Sequence, residues 1–314
     1  MTHRKRGLVA GILFIAVALT PVVAISGPLE DGRVAYERGD YAAALRNLRP
    51  LAERGEAYAQ DRLGAMYRDG HGVARDNDVA VAWFRLAAEQ GDVVGQYNLG
   101  DMYARGLGVE WDDAQAVMWW RRAAGQGDAY AQHNLGLMYR HGRGVAEDPE
   151  EAAKWYRLAA DQGDASAQHS LAVKYANGEG VPRDDAEALQ WYRLAAGQGH
   201  ALAQSNLGLM YDTGRGVAQD HAEALKWYRL AAEQGYGPAQ SNLGVKYAKG
   251  QGVAPDAVRA HMWYSLAASR SASTKVRHLA RQDRDAVAAQ MTPAQIAEAQ
   301  KLAREWKPRG EQAE

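Results

Sequence analysis

The apolar residues of this chain recur at the spacing of one face of an α-helix. The stretch 129–164 shows the pattern most clearly. In its first half, apolar residues stand at i, i+4, i+7 and i+8, namely Ala131, Leu135, Met138 and Tyr139. In its second half they stand at i, i+3, i+4 and i+7, namely Ala152, Trp155, Tyr156 and Ala159. Both spacings are typical of a helix with one buried face, so the stretch is predicted to form two helices.

This two-helix pattern repeats along the chain at a fixed interval of 36 residues. The interval separates six tryptophans, Trp83, Trp119, Trp155, Trp191, Trp227 and Trp263. We number each unit from position 1 to position 36. The units begin at Ala57, Val93, Ala129, Ala165, Ala201 and Gly237. A tandem repeat of this length predicts a solenoid, in which each unit buries its apolar face against its neighbours.

Polar and glycine residues mark the ends of the predicted helices. Gly142 follows the last periodic residue of the first helix, where a left-handed residue ends many helices. Asp148, Pro149 and Glu151 fit a helix start with a capping box, in which the cap and the third helical residue bond each other's backbone. Asp164 is placed to cap the first helix of the next unit.

Two repeated features predict how the units pack. Five of the six units carry glycine at position 8, in the middle of the first helix, where glycine is unfavourable. We therefore expect a neighbouring helix to cross there too closely for a side chain. The Trp–Tyr pairs at positions 27 and 28 are expected to belong to the core, because they recur at helical spacing.

The repeated residues resemble the Sel-like repeat (SLR) family, a branch of the tetratricopeptide repeat superfamily. The resemblance covers residues 57 to about 268. It is carried by Leu and Gly at positions 7 and 8, Tyr at 11, the Gly-x-Gly-Val loop, Asp at 20, Ala-x-x-Trp-Tyr at 24–28 and Ala-Ala-x-Gln-Gly at 31–35. It implies an all-α fold, an α/α solenoid coiled as a right-handed superhelix, with a concave surface for protein partners. Many members are secreted bacterial proteins.

Five segments follow from these patterns. Residues 1–26 are predicted to be a signal peptide, because a basic start precedes a short apolar run and small residues. Cleavage would follow Ala24 or Ser26, in an exported periplasmic or secreted protein; an uncleaved inner-membrane anchor is the alternative.

Residues 27–56 are predicted to be an N-terminal capping unit, 57–272 the six repeats, 273–308 C-terminal capping helices and 309–314 a flexible tail. In 274–290 we expect Val276, Leu279 and Val287 to face inward.

Composition narrows the classes of function. The formal net charge is −1 and the isoelectric point about 6.8, which disfavours a nucleic-acid-binding protein. There is no cysteine, so the chain departs from the members of the resembled family that carry cysteine pairs. No stable membrane span is expected after signal cleavage, since the apolar run is too short.

The sequence contains little that indicates catalysis. Common serine-nucleophile and metalloprotease motifs are absent. His133 and His169 share position 5 and could approach a common metal, but no third ligand column accompanies them, so no metal or cofactor is predicted. The main hypothesis is a non-enzymatic scaffold. The alternative is a periplasmic enzyme acting on cell-wall or β-lactam substrates, as was suggested for some relatives.

The candidate binding surface is the face of the first helices at positions 2, 5, 6, 9, 12 and 13, which line the groove in tetratricopeptide geometry. The predicted partner is a protein or peptide, with an acidic segment or free carboxylate to pair with the arginines. Trp111, alone at loop position 19, is either packed in its loop or a further contact. The predicted groove residues are Arg68, Tyr97, Asn98, Asp101, Arg105, Tyr130, His133, Asn134, Arg140, His141, Asn206 and Asn242.

Overall fold

The computed structural model describes residues 27–309, and the predicted signal peptide lies outside them. The described part of the chain contains sixteen helices and no strand. The helices are α1 (Pro28–Glu37), α2 (Tyr41–Glu53), α3 (Ala57–Asp69), α4 (Asn77–Glu89), α5 (Val93–Arg105), α6 (Asp113–Gly125), α7 (Ala129–His141), α8 (Pro149–Asp161), α9 (Ala165–Asn177), α10 (Asp185–Gly197), α11 (Ala201–Thr213), α12 (His221–Glu233), α13 (Gly237–Lys249), α14 (Ala257–Arg270), α15 (Thr274–Ala288) and α16 (Pro293–Glu305).

The helices pack in the order of the chain, which makes an α-solenoid. The odd-numbered helices α3 to α13 are the first helices of the six units, and the even-numbered helices α4 to α14 are the second helices. Each first helix packs against the second helix of its own unit and against that of the preceding unit. The predicted all-α solenoid of two-helix repeats is therefore confirmed.

In every unit, a glycine ends the first helix and an aspartate caps the second helix, as predicted. Each first helix ends at a left-handed glycine, as Gly142 does with a φ of 62°. The Asp148 carboxylate accepts a hydrogen bond from the Glu151 backbone N–H, and Asp164 caps α9 in the same way. The capping box predicted at Asp148 is only half formed. Within residues 27–309, the full reciprocal pair occurs at Thr292 and Gln295, where the glutamine side chain reaches back.

The position-8 glycines make room for the aromatic residue at position 28 of the same unit. A Cβ on Gly136 would lie 2.5 Å from the Tyr156 ring, and one on Gly208 would lie 2.8 Å from the Tyr228 ring. The predicted close crossing is therefore correct. The assignment of all the tryptophans to the core is wrong for four of them. Trp119 and Trp263 are buried, whereas the other four position-27 rings are only half-buried, namely Trp83, Trp155, Trp191 and Trp227.

Two ladders of side-chain hydrogen bonds tie the units together. The position-34 glutamine donates to the position-4 glutamine of its own unit, with 2.7 Å between Gln162 Nε2 and Gln132 Oε1. The position-4 amide then donates to a backbone carbonyl of the preceding unit, Ala124 in this case. An arginine at position 29 donates to the position-11 hydroxyl of the next unit, as Arg121 does to Tyr139 at 2.6 Å. Because both donors recur in the first five units, the same links recur with them.

The last two helices cover the end of the sixth unit. Ala299 is fully buried, and the Trp306 ring meets the Trp263 ring edge to face at 6.1 Å. Leu279, predicted to face inward on α15, is instead 46% exposed, and its neighbour Ala280 is buried. Val276 and Val287 pack against the core as predicted, so the inward face of α15 runs through Ala280 and not through Leu279. Among the described helices, none is long and apolar enough to cross a membrane.

Candidate functional site

The predicted groove residues lie on the first helices, on what we call the first-helix face. Neighbouring first helices are joined there by side chains at positions 5 and 6. The Asn98 Nδ2 donates to Asp61 Oδ1 at 2.7 Å, and Asn206 Nδ2 lies 3.2 Å from His169 Nε2. The asparagines at position 6, which were predicted as groove residues, therefore also hold adjacent units together. The sequence signal for this role was the fixed interval of 37 residues between the partners.

Asn98 and Arg68 are largely occupied by contacts within the protein. Asn98 is 8% exposed, and its Oδ1 accepts a hydrogen bond from Arg68 at 3.2 Å. Arg68 also donates two bonds of 2.8 Å to the Asp69 carboxylate, which lowers the pKa of Asp69. Burial raises the pKa of Asp61 to about 6, against the opposing charge of Arg62. This end of the face is consequently a network of paired charges, in which Asp61 Oδ2 and Arg62 Nε form an ion pair at 3.5 Å without a hydrogen bond.

The middle of the first-helix face presents aromatic and charged side chains to solvent. Tyr130 is 64% exposed, and its ring centre lies 6.1 Å from that of Tyr97. Arg105 is exposed and pairs with Asp101 at 3.1 Å. This pair is well solvated and contributes little to stability, so a ligand could replace it at small cost. Asn134 and Asn242 are half-buried on the same face, and His141 is exposed at the end of α7.

Arg140 differs from the other two predicted arginines. Within residues 27–309, no carboxylate lies within ion-pair distance of its guanidinium, whereas Arg68 and Arg105 each have one. Its charge nevertheless acts on its surroundings. Together with hydrogen bonds from Asn177 and Lys174, it lowers the pKa of the Glu179 carboxyl. Arg140 is thus the one of the three predicted arginines that is most available to bind an anion.

The two position-5 histidines are half-buried side chains that favour the neutral form. Burial lowers the pKa of His133, and it lowers the pKa of His169 to about 4. The His169 ring stacks on that of His200, with 4.9 Å between the ring centres. No group of three potential metal ligands occurs within the described part of the chain. The arrangement observed is a polar lining of stacked rings and amides.

Two buried lysines on this face were missed by the sequence reasoning. Lys174 and Lys246 occupy position 10, where the other four units have a buried methionine. Lys174 is 3% exposed and donates to Glu179 at 3.2 Å. Lys246 is 1% exposed and donates to Asp212 and Gln251. The signal was present in the sequence, since a charged residue had replaced an apolar one at a core position.

An apolar cleft of about 240 Å³ opens between α9 and α11 on the same face. Its walls include Val173 and Leu209, and Leu209 is 44% exposed. Polar groups stand at its margin, among them the Asn206 amide and Arg215, which is held by Asp185 at 2.6 Å. The cleft can accept an aliphatic side chain, because its apolar wall is open to solvent.

Trp111 lies apart from the first-helix face, in the loop between α5 and α6. Its side chain is 60% exposed, so it is not packed into the loop. Of the two sequence interpretations, this exposure favours an available contact surface.

The comparisons with known proteins agree with this architecture. Consecutive segments 57–92, 93–128, 129–164, 165–200, 201–236 and 237–271 each match the Sel1 repeat. A Sel1 repeat protein from Oxalobacter formigenes is 31% identical, with a TM-score of 0.71 over 79% of this chain and 99% of that one. The protective antigen c5321 of uropathogenic Escherichia coli, which displays an SLR fold, is 31% identical, with a TM-score of 0.60 over 89% of this chain and 68% of that one.

No curated protein matches the chain. Sel1 repeat solenoids commonly mediate protein–protein interactions, and the scaffold is typically non-enzymatic. The match of six consecutive repeats spans more than two thirds of the sequence and uses the register set by the tryptophans. On the repeats and the solved structures together, the chain belongs to the Sel1 repeat family.

Proposed function

We propose that this protein is an exported, non-enzymatic adaptor that binds a segment of a partner protein along its first-helix face. The observation that carries the proposal is a row of exposed apolar and aromatic side chains on that face, Tyr130, Leu202 and Leu209. Large exposed side chains of this kind on one surface are typical of a binding site. Arg105 forms an exposed ion pair with Asp101 that a ligand carboxylate could replace, and Arg140 has no carboxylate within ion-pair distance among residues 27–309. Both arginines therefore favour a partner segment with carboxylates.

A comparison of charge-matched variants tests the binding face. The Arg105→Ala, Arg140→Ala double variant should bind a partner captured from the periplasm more than about tenfold more weakly than the parent, because arginines often dominate such interfaces. The control is Lys154→Ala with Lys226→Ala, which removes two exposed cations from the second helices. It should bind as the parent does. Affinity is measured by titration, and circular dichroism melts should be unchanged for both. Equal binding by all three proteins would place the partner elsewhere, with Trp111 the next residue to change.

The export part of the proposal rests on residues 1–26 and has its own test. N-terminal sequencing of the protein recovered from the periplasm or medium should begin at Ile25 or Gly27, since small residues precede each of these sites. An intact Met1 in membranes would favour the uncleaved anchor. Protein confined to the cytosol would reject export without affecting the binding proposal.

A further inference from the structure

One departure from repetition on the first-helix face lies between α7 and α9. We give the name α7–α9 cleft to a group of four side chains there, Arg140, Tyr156, Lys174 and Glu179, of which Tyr156 and Lys174 are buried and Arg140 is half-buried. In the sixth unit, the buried Lys246 is neutralised by Asp212 at position 12 of the unit before it. In the fourth unit, the buried Lys174 has an arginine at that same position of the preceding unit, namely Arg140. The cleft therefore gathers positive charge where its counterpart is balanced.

The charged side chains of the α7–α9 cleft carry one positive charge in excess, which one further carboxylate would balance. Arg140 and Lys174 supply two positive charges, and Glu179 supplies one negative charge. His169, which is affected by the Arg140 charge, remains neutral near neutral pH because its pKa is lowered to about 4. Glu179 accepts hydrogen bonds from Lys174 at 3.2 Å and from Asn177 at 2.8 Å. The cleft thus already binds a carboxylate of its own and keeps one net positive charge.

Tyr156 adds a buried neutral hydroxyl beside Arg140. The residue is 0% exposed and packs against Gly136, so its hydroxyl is closed to a ligand. Burial raises its pKa to about 12, against the nearby Arg140 charge, so the hydroxyl keeps its proton. A neutral hydroxyl oxygen can accept from a guanidinium, so Tyr156 helps to orient Arg140 and does not itself touch the ligand.

The apolar cleft between α9 and α11 adjoins the α7–α9 cleft directly. The two share residues of α9: Asn177 lines the apolar cleft and also donates to Glu179, and Val173 precedes Lys174. The axes of neighbouring packed helices lie about 8–10 Å apart. An extended chain advances about 3.3 Å per residue, so this separation corresponds to about three residues.

We propose that these two clefts are adjacent subsites for one extended peptide, an inference that rests on the proposed function. The α7–α9 cleft binds the side-chain carboxylate of an Asp or Glu through Arg140, with Lys174 acting through its charge. The α9–α11 cleft binds an aliphatic side chain about three residues away. The peptide runs through the site, because the polar lining continues beyond both clefts, to Asp101 and Arg105 on α5 on one side and to Asn242 on α13 on the other. The carboxylate therefore comes from a side chain and not from a chain end.

The repeats themselves provide substitutions that the fold already accepts. Alanine stands at the position of Arg140 in three other units, methionine at the position of Lys174 in four, and phenylalanine at the position of Tyr156 in the first. Arg140→Ala, Lys174→Met and Tyr156→Phe therefore change the cleft with little risk to folding. Lys246→Met is the matched control, since it removes a buried lysine that Asp212 neutralises.

The test uses the full chain and a displayed library of random twelve-residue segments with fixed linkers on both sides. We expect selected segments to carry Asp or Glu about three residues from Leu, Ile, Val or Met. For the best synthetic peptide, with both ends blocked, Arg140→Ala should weaken binding by about tenfold or more and Lys174→Met by about threefold or more. Tyr156→Phe should weaken it by about threefold, and Lys246→Met by less than about twofold. Replacing the peptide's Glu by Gln should match the loss in Arg140→Ala.

Several outcomes would overturn the inference. They are no selected segment, binding that is equal for Glu and Gln peptides, or selection only from a second library that ends in a free carboxyl group. The proposed function is judged separately with the captured partner. A partner that is insensitive to Arg140→Ala and Lys174→Met but weakened by Tyr130→Ser or Leu202→Ser, two exposed side chains outside both clefts, would reject these subsites and retain the binding face.

Discussion

Tyr228→Ala should lower the free energy of unfolding by about 3–5 kcal/mol, the usual loss for truncating a core aromatic residue. Tyr228 is 1% exposed, and its ring lies over Gly208, so no side chain is available to fill the space that the substitution leaves. The surrounding helices are fixed by hydrogen bonds to both neighbouring units and can close the cavity only in part. Urea unfolding followed by circular dichroism measures the loss.

Trp111→Ala is the control for that measurement. It removes a larger ring, but one that is 60% exposed, so the change should stay within about 0.5 kcal/mol. Comparable losses in the two variants would mean that the Tyr228 ring is not part of the core and that the close contact at position 8 has another cause.

Gly180→Ala should cost about 2–5 kcal/mol, which would make the loop glycine as important as a core ring. About 1–2 kcal/mol comes from the left-handed backbone, with a φ of 73°. A further loss of about 1–3 kcal/mol comes from overpacking, because a Cβ there would lie 2.0 Å from the Pro149 carbonyl oxygen of the preceding unit. Equilibrium unfolding by urea is again the measurement.

Gly163→Ala separates these two contributions. Gly163 also has a positive φ, of 93°, but a Cβ there would meet no atom within 4 Å. This variant should therefore lose only the backbone contribution, about 1–2 kcal/mol. If Gly163→Ala and Gly180→Ala are equally destabilised, the loop does not pack on the preceding unit as closely as described.

The sequence predicted the helices well because their signals are local. The glycine after α7 and the aspartate before α8 act within one turn, and both ends lie where they were expected. The close contact at position 8 was also predictable, since an interior helical glycine is costly unless another group fills its place. What could not be predicted was which aromatic residue fills it. Positions 27 and 28 are adjacent on one helix, and only the rotation of the two packed helices decides between them.

The binding face shows a similar limit. The positions on the face follow from the repeat, and Tyr130, Arg105 and His141 are exposed there as expected. The partners of each side chain do not follow from the repeat, because they come from the neighbouring unit. Arg68 and Arg140 share position 12, yet Arg68 is paired with Asp69, whereas Arg140 has no carboxylate within ion-pair distance in the described part of the chain. Lys174 was not predicted because position 10 belongs to the core, and groove residues were predicted only at positions that face solvent.

The glutamine ladder has a consequence for how the length of such a protein can change. Each rung joins groups within a unit or in the unit directly before it, and none reaches further. A gain or loss of one complete unit would therefore leave every remaining rung with its partner, whereas an insertion of any other length would break the register at one junction. The ladder stops in the sixth unit, where Arg270 stands in place of the glutamine and Gln240 Oε1 accepts no hydrogen bond from any residue between 27 and 309. Units can thus be exchanged or duplicated inside the array, whereas the sixth unit has to remain last, next to the helices α15 and α16 that cover it.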